Sequence, residues 1–278
     1  MTSSGRPPRP LREERLILNP SMLPSTFHAP VHATRRGALR WLGAGLMGAA
    51  AWPTGALATA ASPKGALLLP PSLRLRYEID GRVSQIPYQT DGELLWTHDN
   101  ERYRALLSID IPLLGKREQS SEGRVSAAGL SPARFVDRMR RERTVDFDQA
   151  QRQLRFSEGA PPAPLPALAQ DQLSVFIQLG ALLGSSPRTY PASSWIELPA
   201  MGIYGPEFWR FQVRGQEHLA LPGGELDAMH IVRQNPEGED LAGELWLAPT
   251  LGWLPARIRL SQPNGDFVDQ RWRGSEAP

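Results

Sequence analysis

The sequence predicts a mainly-β fold: a curved antiparallel sheet, or incomplete β-barrel, with one long helix packed on its concave face. Three observations predict it. From Leu73 onward apolar and polar residues alternate with a period of two. The alternating runs are short and separated by Gly, Pro, Asn and Asp, which favours a meander of hairpins. One stretch, Gln170–Leu183, instead repeats its apolar residues at helical spacing.

Residues 1–58 stand apart from that domain. Thr34–Arg40 resembles a twin-arginine export signature, with Arg35 and Arg36 as the pair and Leu39 and Arg40 at its apolar and basic positions. A short, Gly/Ala-rich apolar stretch follows from Trp41 to Ala51, and Ala56-Leu57-Ala58 offers small residues for cleavage. Closed by Pro53, the stretch suits a cleaved leader better than an anchor of about 20 residues. The reading is therefore a leader with an N-terminal extension over 1–58, a disordered linker over 59–68 and a single β-rich domain over 69–273. Cleavage near Ala58 would deliver a periplasmic protein through the twin-arginine machinery. Either Met1 or Met22 serves as the start under this reading.

The strands come in order. Leu73, Leu75, Tyr77 and Ile79 alternate with charged residues, and Tyr88–Thr97 follows with Leu94 and Trp96 on one face. His98–Glu101 turns the chain into Tyr103–Ile111. Leu113-Leu114-Gly115 interrupts, Lys116–Val125 is a more polar strand, and Ala127–Pro132 reads as a loop.

Pro132–Phe156 carries two patterns. Its five arginines between Arg134 and Arg143 fit the solvated face of a charged helix. The strand reading is preferred, because Phe147–Gln151 makes a turn into Gln153–Phe156. In that reading Arg141 and Arg143 share a face with Val145 and Phe147. They are then either arginines paired or snorkelling at a sheet edge, for example with Glu118 or Glu122, or a fork for an anionic headgroup.

The helix is introduced by the Pro-rich run Ala160–Ala167, with Asp171 placed to cap it and Gly184–Pro187 to stop it. Phe176 and Ile177 lie on its apolar stripe, as core or as the lining of a ligand cavity. Beyond it come Trp195–Leu198, Phe208–Val213 with Trp209 and Phe211 on one side, a turn at Gly215 and His218–Leu221. Pro222-Gly223-Gly224 then turns into Leu226–Arg233. Glu244–Ala248, Pro255–Leu260 and Phe267–Trp272 complete about a dozen strands, with an Asn-Gly hairpin signal at Asn264-Gly265.

Composition narrows the function. The chain has 278 residues, 41% of them hydrophobic, a formal net charge of +2 and no cysteine. About 220 residues would remain after cleavage, enough for one sizeable core. Spread-out arginines make no case for nucleic acid, and the lack of Cys excludes disulfides and thiolate chemistry. No phosphate-loop, nucleophile-elbow, dinucleotide or zinc-protease motif occurs, so no catalytic, cofactor-binding or metal residue is assigned. His218 and His230 could meet across a hairpin beside Glu217 as a metal pair, a reading that core or surface roles outweigh. Strand tryptophans such as Trp209 fill a core, stack on sugars or line a lipid cavity.

Several separated segments resemble one family in order: Leu69–Glu78, Gly92–Trp96, Asp171–Phe176, Leu245–Pro249 and Gly252–Ile258. They are similar to an exported bacterial family catalogued as domain of unknown function 3108, over about Leu69 to Trp272. That resemblance carries over no activity and no catalytic residue. More loosely, the pattern W-x-x-P-x-x-G-x-L-P from Trp246 to Pro255 resembles the late hairpin of periplasmic lipoprotein carriers. It implies an open curved sheet around helices with an apolar cavity between. The expected function is non-enzymatic binding of an apolar or amphipathic envelope molecule such as a lipid, without a cofactor. Arg141, Arg143, Phe176, Ile177 and Trp209 are its candidate ligand residues. The alternatives are an assembly or polysaccharide-associated protein, and a hydrolase with an unrecognised site.

Overall fold

Strand pairing takes the alternating segments further than their apolar residues alone require, since each backbone amide inside a sheet finds its partner on the neighbouring strand. The computed structural model describes residues 67–111, 115–157, 159–234 and 242–278. The first half of these holds β1 (Leu73–Val83), β2 (Ile86–His98), β3 (Arg102–Ile111), β4 (Gly115–Ser126), β5 (Gly129–Arg138), β6 (Glu142–Asp148), β7 (Gln153–Phe156) and β8 (Ala163–Pro164). The second holds β9 (Gln170–Asp171), the helix α1 (Ser174–Ser185), β10 (Trp195–Gly202), β11 (Gly205–Leu221), β12 (Gly224–Gln234), β13 (Ala242–Ala248), β14 (Leu254–Ser261) and β15 (Phe267–Glu276). The export residues Arg35 and Arg36 and the leader lie outside the described residues.

All fifteen strands join one sheet in the order β8-β7-β6-β5-β4-β3-β2-β1-β15-β14-β13-β12-β11-β10-β9. The first and last strands meet at its middle, paired from Arg74 opposite Glu276 to Arg82 opposite Phe267 with a register shift between Arg76 and Tyr77. Two meanders run outward from that junction. Every pairing is antiparallel except β9 with β10, where Gln170 and Asp171 align parallel with Ala200 and Met201. The two edge strands β8 and β9 follow each other in the chain, separated only by residues 165–169. The sheet is curved and open, not closed into a barrel, and the chain itself bridges the opening.

Inward side chains line the concave face: Leu75, Tyr77 and Ile79 from β1, Trp96 from β2, Phe135 from β5, Trp209 and Phe211 from β11 are all at most 1% exposed. The helix fills the space they leave. Every residue from Ser174 to Leu183 is buried, so α1 is enclosed on all sides rather than on one stripe. It approaches the β13–β14 turn closely, where a β-carbon on Gly180 would stand 2.3 Å from the Trp253 carbonyl oxygen.

Four local expectations are corrected. The helix begins at Ser174, because Gln170 and Asp171 are drawn into the parallel bridge with β10. Residues Gly129–Pro132 are strand, since β5 pairs with β4 from Gly129 opposite Ser126. Gly215 makes no turn: at φ +127 it forms a bulge that shifts the β11–β12 register after Val213, and β11 continues to Leu221. The Asn264-Gly265 loop is wider than a two-residue turn, closed by Gln262 N donating to the Asp266 carbonyl at 2.8 Å.

On the convex side, charges of opposite sign face one another across strands. The row Arg104, Glu122, Arg134, Asp146, Arg155 crosses five strands from β3 to β7. Within it Arg134 Nη1 lies 2.7 Å from Asp146 Oδ1. Such exposed pairs stabilise weakly one by one, and salt screens them.

Candidate functional site

Three chain segments converge where the sheet opens. The end of β4 and the start of β5 contribute Ser126, Leu130 and Ser131; the β6–β7 turn contributes Gln149 and Arg152; the bridging segment contributes Leu165–Ala169. Together they line a cleft of about 280 Å³ that opens to solvent. Its lining mixes apolar residues, Leu130, Leu165 and Leu168 among them, with the polar residues Ser126, Ser131, Gln149 and Arg152. A molecule with an apolar part and a polar part matches such a mixed lining.

The walls are fixed from behind. Leu165 N donates to the Arg152 carbonyl at 2.9 Å, tying the bridge to the β6–β7 turn. Gln170 Nε2 donates to the carbonyls of Leu130 (2.9 Å) and Leu168 (3.2 Å). Gln178 of α1 accepts from Leu130 N at 2.9 Å, so the helix anchors the cleft floor. Arg152 and Leu168 both adopt left-handed backbone, at φ +52 and +58. For Leu this is a costly conformation, of the kind that tends to gather at ligand sites.

Directly after Gln170, at the start of α1, lies a buried polar network. Asp171 Oδ1 accepts from Leu173 N (2.9 Å) and Ser174 N (2.7 Å), satisfying free amides at the start of α1. Its Oδ2 accepts from Ser121 Oγ at 2.5 Å, and Tyr103 OH lies 3.0 Å from that hydroxyl. Burial pushes the Asp171 carboxyl up, against the pull of these hydrogen bonds.

The histidines are separated, each with its own acids. His218 Nδ1 lies 2.9 Å from Asp227, an ion pair that raises its pKa, with Glu225 adding to it. His230 has Nδ1 2.7 Å from Glu217 and Nε2 3.0 Å from Glu244, and its ring stacks on Trp246 at 4.4 Å. Burial raises the Glu217 carboxyl, but hydrogen bonds from Trp246 and His230 outweigh it and hold the group below its usual range. Among the described residues no cluster of three or more His, Asp and Glu could hold a metal.

The residues singled out in the sequence lie elsewhere. Phe176, Ile177 and Trp209 are core side chains, exposed by 2%, 0% and 0%. The Trp209 indole donates to Glu207 at 2.7 Å. Arg143 is half-buried on the inner face with Val145 and Phe147, its guanidinium 5.8 Å from the Tyr204 ring centre. Arg141 is exposed in the turn before β6. None of the five lines the cleft. The cleft residues come from three segments distant in sequence, so no periodicity marks them. The one available signal is Leu168, an apolar residue closing a Pro-rich segment that a helix does not absorb.

The sequence pattern of a family described as Protein of unknown function (DUF3108) matches residues 98–270. No curated protein matches the chain. Solved structures do. A beta-barrel-like protein of domain of unknown function DUF1849 from Brucella abortus is 10% identical, with 76% of this chain and 98% of that one covered at a TM-score of 0.49. A domain described as an outer membrane lipoprotein-sorting protein, from Vibrio parahaemolyticus, is 8% identical over 74% and 85% at 0.30. A DUF1329 family protein from Desulfovibrio piger is 9% identical over 74% and 86% at 0.26.

Proposed function

This chain belongs to the DUF3108 family of proteins of unknown function, and on that premise we propose that it is an exported, non-enzymatic protein that binds an amphipathic envelope molecule. The cleft at the sheet opening carries the reading. Its lining combines apolar and hydrogen-bonding residues, and its one ionisable lining residue is an arginine. The concave face is occupied by α1, so the ligand meets the protein at the opening and not beneath the helix. Periplasmic delivery rests on Arg35, Arg36 and the cleavage signal near Ala58. Among the described residues no helix is long and apolar enough to cross a membrane.

Leu168→Asn tests the site. Asn tolerates left-handed backbone better than Leu, so the variant should melt at the same temperature or higher. It also removes part of the apolar lining. Native mass spectrometry of periplasmic wild-type protein should show a small bound amphipath, and the variant should lose it. Ligand retained at the wild-type level in Leu168→Asn would remove the cleft as the site.

A second reading, attachment to envelope polysaccharide, is favoured by the convex face of β10 and β11. Trp195 and Phe208 are 40% and 71% exposed there. Between them Glu197 and Arg210 neutralise each other at 2.7 Å. Apolar rings flanking a neutral polar pair suit a sugar, with its C–H faces and hydroxyls. Co-sedimentation with insoluble envelope polysaccharide, abolished in Trp195→Ala/Phe208→Ala, would support it, and no co-sedimentation of wild type would dismiss it.

A further inference from the structure

We infer that the ligand of the cleft carries an anionic head held by Arg152, an inference that rests on the cleft being the binding site. The lining residues include one ionisable group, Arg152, and no carboxylate. Arg152 therefore supplies the lining's charge; of the uncharged polar residues there, Ser126 Oγ already donates to the Gly129 carbonyl at 3.0 Å and Gln149 Nε2 to the Pro132 carbonyl at 3.2 Å. Nearby arginines are committed elsewhere: Arg155 to Asp148 at 3.0 Å and Arg134 to Asp146 at 2.7 Å. Arg152 makes no ion pair among the described residues.

Its position is set by the backbone. The left-handed conformation at φ +52 ends the β6–β7 turn, and the Arg152 carbonyl is bonded to Leu165 N at 2.9 Å. The base of the side chain is therefore fixed beside the apolar bridge, while the side chain itself is exposed. A guanidinium presents a planar fork that matches phosphate or carboxylate oxygens two at a time. Leu165 and Leu168 offer a surface for an attached chain. Head and chain would then lie together in the cleft, with Arg152 choosing the charge and Leu168 accepting the apolar part.

The mature full-length domain can be titrated calorimetrically with dodecyl phosphate, dodecyl maltoside, dodecyltrimethylammonium and inorganic phosphate, all below micelle-forming concentrations. Dodecyl phosphate should bind about tenfold more tightly than the maltoside, the size of one charge-assisted contact. The cationic probe should bind more weakly than either. Arg152→Gln should erase the preference for phosphate over maltoside, with an unaltered melting temperature because the side chain is exposed. Equal affinity for the anionic and neutral probes, or an undiminished preference in Arg152→Gln, overturns the anionic head and leaves the cleft standing. Failure of every dodecyl probe to bind overturns the cleft reading itself. Inorganic phosphate binding as tightly as dodecyl phosphate would identify a free anion as the ligand and overturn the amphipathic head.

Discussion

Gly180 of α1 and the carbonyl oxygen of Trp253 are in such close approach that a β-carbon on the glycine would stand 2.3 Å from that oxygen. Trp253 holds left-handed backbone at φ +69, directly after Gly252 at φ +66, so the turn presses main chain onto the helix. Gly180→Ala should therefore cost about 1–3 kcal/mol by overpacking, measured as a lower urea midpoint. Gly184→Ala should cost less, because its β-carbon would meet the movable Trp253 indole at 2.8 Å and not backbone. An unchanged midpoint for Gly180→Ala would show that the contact is not tight in solution.

Asp171 links stability to pH. Its carboxyl is raised by burial, so the folded state holds a proton that the unfolded chain releases near pH 4. Above that point folding must retain the proton or bury a charge, and stability falls as pH rises through the interval up to the raised value. Asp171→Asn should flatten that slope in denaturant titrations, since its remaining oxygen still accepts from Leu173 N and Ser174 N. Asp171→Ala should lose about 1–3 kcal/mol by stranding the amides. A slope identical in wild type and Asp171→Asn would contradict the assignment.

Phe176→Ala should lower stability by about 3–5 kcal/mol, the range for emptying an aromatic core position. Dodecyl phosphate affinity per folded molecule should stay unchanged, because Phe176 does not line the cleft. Leu168→Asn should show the opposite pattern. The two variants together separate core from site, and a binding defect in folded Phe176→Ala would place the ligand under the helix instead.

Replacement of Arg35 and Arg36 by Lys should leave the precursor in the cytoplasm, visible by fractionation and immunoblotting. N-terminal sequencing of the exported wild type should begin near Thr59. Export of the double variant at the normal level would rule out the twin-arginine route.

Much of the sheet is legible in the sequence because burial of one face imposes its period directly, as Leu75, Tyr77 and Ile79 show. The helix is legible for the same reason, although its start is not. Gln170 and Asp171 look helical until a partner strand, β10, claims them. Gly215 shows a related limit: a glycine between two alternating runs marks a turn or a bulge equally well, and only the register of β12 decides. The cleft was hidden more deeply. Gln149 and Arg152 sit in an ordinary hairpin turn, and Leu168 is 16 residues further on. Their meeting depends on the route of the bridge across the sheet opening, which no local pattern encodes.

The pairing of β1 with β15 also sets an order in time. Residues such as Arg74 and Glu276 become neighbours only after some 200 intervening residues have been made. Each meander can assemble from local hairpins, but their union must wait for the last ten residues of strand to leave the ribosome. Until then the nascent chain carries two exposed strand edges, on β1 and β14, at what becomes the middle of the sheet. A ribosome stalled short of Phe267 would therefore present a pair of sticky half-sheets to its surroundings. The final strand is the clasp, and the vulnerable interval of this protein's life ends when it closes.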